Sequence, residues 1–147
     1  MHLEDAIQID CPVKDLYNVI SDVEGHAALL PGYVESRIVD RQDDHVVLQR
    51  EAIIHGKRRR WKSEVRFELN QALHFRQLEG PFEGMQVLWG IKPRGSSTEL
   101  RIIHDVSIKP WWKKWWVELV IAKPAIERTA RLVLESIKLA AEARIPL

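Results

Sequence analysis

The amino-acid sequence predicts an α+β fold in which a curved antiparallel sheet wraps around one long C-terminal helix. Three observations carry this. From Tyr33 to Ile108, apolar residues recur with period two in six runs separated by short turns, as in an antiparallel meander. Beyond Pro124 the period becomes helical. The apolar stripe of that helix needs a partner, and the one large apolar surface on offer is the concave face of the sheet. The order is β-α-α-β6-α, read as one domain over residues 1–147 with an internal cavity between sheet and helix.

Residues 3–10 (LEDAIQID) alternate in part and form the first strand. Pro12 stands where a helix begins, a place that needs no backbone donor. Val13, Leu16, Tyr17 and Ile20 follow at helical spacing, and a second short helix around 23–30 stops at Pro31-Gly32. YVESRIVDR and HVVLQREAIIHG are strands joined by the polar turn 42–44. Gly56 and Lys57 turn the chain into the longest run, where Trp61, Ser63, Val65, Phe67 and Leu69 share one face. Asn70-Gln71 leads into ALHFRQLE, and GPFEGM turns it into a run with Met85, Val87, Trp89 and Ile91 on one side. Residues 93–97 read as a loop. The last strand places Leu100, Ile102, His104, Val106 and Ile108 on one face. After Pro110 come four tryptophans within six residues. A helix then carries Ile126, Ala130, Val133, Leu134, Ile137, Ala140 and Ala141 on one side, with charges opposite.

Composition narrows the function. With 46% hydrophobic and 29% charged residues among 147, the chain is globular and buries roughly 70% of its unfolded surface. A net charge of +1 gives no broad attraction for nucleic acid. The single cysteine, Cys11, excludes an internal disulfide and suits a reducing, cytoplasmic setting. Charges at Glu4, Asp5 and Asp10 argue against a signal peptide. The histidines lack ligand spacing, so neither a metal site nor a cofactor is expected. His26, His45, His55 and His74 are read as loop or outward-facing residues. The run Lys57 to Arg60 is read as a solvated turn.

The element order, together with VISDVEGHAALLPGYVES, WKSEV, LEGPFEGMQVLW and a threonine-led last strand, resembles the START-like helix-grip superfamily (SRPBCC). The likeness covers nearly the whole chain and is greatest to the polyketide cyclase/dehydrase branch, which includes coenzyme-Q-binding START-domain proteins. It implies an apolar cavity under the C-terminal helix that takes a prenyl quinone, another lipid or an aromatic polyketide. In aromatase/cyclase-type members a W-x-S-x-R pattern supplies an inward serine and an inward arginine. Here Trp61 and Ser63 match, Val65 stands at the arginine position, and Arg66 points outward on a regular strand.

Binding or transport of a hydrophobic small molecule is therefore the first expectation. Polyketide cyclisation in the same cavity, or binding of a macromolecular partner, are the alternatives. The expected lining is Trp61, Ser63, Val65, Phe67, Phe82, Met85, Val87, Trp89, Ile102, His104, Ile126 and Val133. Each of these also suits ordinary core packing. Ser63, His104 and Tyr33 are the residues able to orient a carbonyl or move a proton if there is chemistry. Trp111, Trp112, Trp115 and Trp116 flank two lysines and suit a lid over the cavity or a peripheral membrane contact.

Overall fold

The expected order is realised in a computed structural model. It describes residues 1–54, 56–80, 82–106 and 113–143, with the backbone alone from 113 to 122. The elements are β1 (His2–Ile9), α1 (Val13–Ser21), α2 (His26–Leu29), β2 (Tyr33–Arg41), β3 (His45–Ile54), β4 (Lys57–Glu68), β5 (Ala72–Glu79), β6 (Gln86–Arg94), β7 (Ser97–Asp105) and α3 (Lys113–Ala143). The strands form a seven-stranded antiparallel sheet in the order β1-β7-β6-β5-β4-β3-β2. Six strands follow one another as a meander, and β1 closes the far side by pairing with β7.

Alternation decides which residues meet α1 and α3. On β3, Val46, Leu48, Arg50 and Ala52 are all buried, while Ile53 is exposed. On β7 the inward set is Thr98, Leu100 and Ile102. These pack against Leu16, Tyr17, Val19 and Ile20 of α1 and against Ala130, Val133, Leu134, Ile137 and Ala141 of α3. The helical stripe read from the sequence is thus the buried one. Arg131, on its edge, reaches β1 and donates from Nε to Asp5 at 3.0 Å and from Nη2 at 2.5 Å. This bidentate pair fixes the second half of α3 to the sheet.

Some boundaries differ from those expected. Pro124 lies inside α3, whose helical backbone runs back to Lys113. A proline looks like a helix start because it lacks a donor, but inside a 31-residue helix it removes only one bond of many. Pro93 and Arg94 belong to β6 and pair with Thr98 and Ser97, so the expected five-residue loop is a two-residue turn with Gly95 at φ +62°. Lys57 to Arg60 lie in β4, where Arg58 and Arg60 bond Glu51 on the outer face. Ile108 and His55 lie outside the described residues. No helix among the described residues is long and apolar enough to cross a membrane.

Candidate functional site

The inner face of the sheet has one aromatic region, near the end where β7 finishes. Cross-strand register lines up Val65, Phe75, Val87 and His104 from β4 to β7. The neighbouring positions hold Ser63 opposite Gln77, both buried, and Trp61 opposite Arg50. Tyr33 enters from the start of β2, its ring edge-on to Trp61 at 5.8 Å. Phe75 and Trp89 meet at 5.0 Å. Gly80 allows this crowding: at φ +131° it has left-handed backbone, and a Cβ there would lie 2.7 Å from that of Trp61.

Two polar residues that sequence reasoning did not select lie among these rings. Arg50 is only 3% exposed. Its Nη2 donates to Nδ1 of His26 at 3.0 Å, and its guanidinium lies 4.7 Å from the Tyr33 ring centroid and 5.5 Å from that of Phe75. No carboxylate among the described residues pairs with it, and its Nε has no hydrogen-bond partner. His26 was expected on an outward face or in a loop, yet it is 0% exposed. The reason is local. Its Nε2 donates to the carbonyl of Ile20 at 2.8 Å, which fixes the tautomer, and the ring stacks on Trp89 at 5.2 Å. Nδ1 is left as the acceptor for Arg50.

Both inward histidines are held neutral. Burial, then the Arg50 cation beside it, pushes His26 down to about 3. Burial pushes His104 down to about 4. The unfolded chain takes up these protons near pH 6.5, while the fold refuses them until about 4 and 3. Stability is therefore full above pH 6.5 and falls below it, by about 1.4 kcal/mol per pH unit for His26 alone. Urea unfolding at pH 7 and pH 5 is expected to show a loss of about 3–4 kcal/mol from the two histidines together, roughly halved in a His26→Gln variant. Equal stability at both pH values would contradict the buried neutral imidazoles.

The other expected site residues divide by position. Trp61, Ser63, Val65, Val87, Trp89, Ile102 and His104 share the inner face described above, and Val133 is buried on the core-facing side of α3. Phe82 and Met85 are half-buried in the turn before β6, which Gln77 closes by accepting from Gly84 and donating to Met85. Ile126 is half-buried on α3. Phe67 lies at the opposite end of β4, beside the turn into β5, and is 40% exposed. The strand outruns the covered patch there, so the Phe67 side chain is away from the aromatic region. Arg66 points outward, as expected, and pairs with Asp44 and Glu64. Trp111 and Trp112 lie outside the described residues, as do the side chains of Trp115 and Trp116.

A shallow hollow of about 180 Å³ opens where β5, β6 and β7 meet, lined by His74, Phe75, Gln86, Val87, Leu88 and Asp105. It is smaller than the roughly 300–1,000 Å³ of small-molecule sites. No cluster of three or more His, Cys, Asp or Glu among the described residues is placed to hold a metal.

Comparison with known proteins agrees with this architecture. The family model described as polyketide cyclase / dehydrase and lipid transport matches residues 9–138. A provisionally named polyketide cyclase of Streptomyces cyaneus is 26% identical over 113 residues, 74% of either chain. The crystal structure of the Zhui aromatase/cyclase from Streptomyces sp. R1128 superposes with a TM-score of 0.89 at 20% identity, covering 99% of this chain and 96% of that one. A START superfamily protein from Mycobacterium smegmatis superposes at 0.70 with 20% identity, over 98% and 96%. At such identities the superpositions speak for a shared helix-grip fold.

Proposed function

The chain belongs to the polyketide cyclase / dehydrase and lipid transport family, and on that footing we propose that it binds an oxygen-bearing, polyketide-like hydrophobic molecule against the inner face of the sheet. The observation that carries this reading is the set of rings Tyr33, Trp61, Phe75 and Trp89, packed around inward polar groups. Aromatic faces hold a flat apolar body. Ser63, Gln77, Arg50 and His104 add donors and acceptors that a prenyl or acyl chain would leave unmatched, at a cost. An oxygenated chain meets both demands.

Ring closure of such a chain is a second reading, favoured by one placement. His104 is a neutral imidazole in the same cross-strand row as Phe75 and Val87. There it can accept a proton from a carbon between two carbonyls and return it to an oxygen. Ser63, two residues inward of Trp61, can orient a carbonyl. The named relatives, a polyketide cyclase and an aromatase/cyclase, lend this reading support.

Tryptophan fluorescence tests the binding claim. Titration with 1,8-dihydroxyanthraquinone is expected to quench the signal with micromolar affinity, about tenfold tighter than decylubiquinone. Trp61→Phe is expected to weaken the quenching. Preference for the quinone with the alkyl tail, or no saturable binding of either compound, would contradict the proposal.

A further inference from the structure

Arg50 brings a positive charge into the sheet's interior, and no carboxylate among the described residues pairs with it. Its neighbours are two aromatic rings and the acceptor nitrogen of a neutral histidine. The next residue, Glu51, points to the outer face and is taken up by Arg58 and Arg60. Rings and an imidazole soften the charge but do not cancel it, and the Nε–H has no acceptor among the described residues. Buried donors in folded proteins are nearly always satisfied, and buried charges are paired. From these contacts we infer that Arg50 is an anion-binding group, and that the molecule held against this wall is an organic acid with its carboxylate on Arg50 and a flat apolar body among Trp61, Phe75 and Trp89. The inference rests on the ligand-binding reading above.

The choice of a carboxylate over a neutral carbonyl follows from what each would satisfy. A ketone or ester oxygen accepts the Nε–H and leaves the charge unmatched. A carboxylate accepts the same hydrogen bond and neutralises the cation where screening by water is weak. His26 acts here as a positioning residue. With its own Nε2–H committed to Ile20, it holds one end of the guanidinium and leaves Nε as the open donor.

Matched probes test this. 1-Naphthoate and methyl 1-naphthoate share the ring system and differ in charge. By calorimetry at pH 7.5, the acid is expected to bind about 30-fold or more tighter than the ester. In Arg50→Met the gap is expected to fall within about threefold, while Arg50→Lys keeps part of it. Equal binding of acid and ester by the parent protein would overturn the inference and leave the ligand-binding reading standing. A preference for the acid that survives in Arg50→Met would overturn it too. If neither probe binds, the inference and the reading both fall. The comparison in the parent protein stands whether or not a variant folds.

Discussion

Replacing His26 by Leu is expected to cost the folded state about 3–5 kcal/mol, although the two side chains are of similar volume. The ring is 0% exposed and uses both nitrogens. Without it the carbonyl of Ile20 loses a donor, and the Arg50 guanidinium loses the acceptor that holds it. Stacking on Trp89 at 5.2 Å is lost as well. Urea denaturation at pH 7.5 reads the effect directly. A loss below about 1 kcal/mol would mean that the guanidinium is solvated or paired in some other way.

The companion substitution, Arg50→Met, is expected to move stability in the opposite direction. An unpaired buried cation is a net cost, and apolar replacements of buried charges often stabilise by about 1–4 kcal/mol. Part of that gain is offset because Nδ1 of His26 loses its donor and the contact with the Tyr33 ring disappears. A net gain of about 1–2 kcal/mol is the balance expected. The same change removes the group assigned to the ligand, so stability and binding part company, as happens where a site is held under strain. The double variant His26→Leu/Arg50→Met is expected to lie nearer the parent than the two single effects predict, with a coupling of about 2 kcal/mol. Strict additivity would show that the two residues do not act as a unit.

The sheet and its meander were legible because alternation over six runs admits few other arrangements, and the stripe on α3 was legible for the same reason at helical period. Where a single residue set the boundary, reading was less reliable: Pro93 looked like loop and continues a strand, and Pro124 looked like a start and lies within a helix. Arg50 carried a signal that a family pattern on the next strand overshadowed. It is in phase with Val46, Leu48 and Ala52, so alternation alone points it inward. The W-x-S-x-R pattern lies on β4 and has Val65 at its arginine position, whereas the buried arginine comes from β3, opposite Trp61. His26 had no such signal. It sits in a four-residue helix, too short to show a period, and its partner is 24 residues away.

¹H–¹⁵N NMR tuned to the arginine Nε–H groups reads the central claim at one atom pair. As 1-naphthoate is added to the ¹⁵N-labelled protein, the Nε–H resonance of Arg50, assigned by its loss in Arg50→Lys, is expected to shift and saturate together with an indole N–H of Trp61 or Trp89. An Arg50 resonance that stays in place while the ligand saturates would contradict the account, since the buried cation would then face something other than the bound molecule.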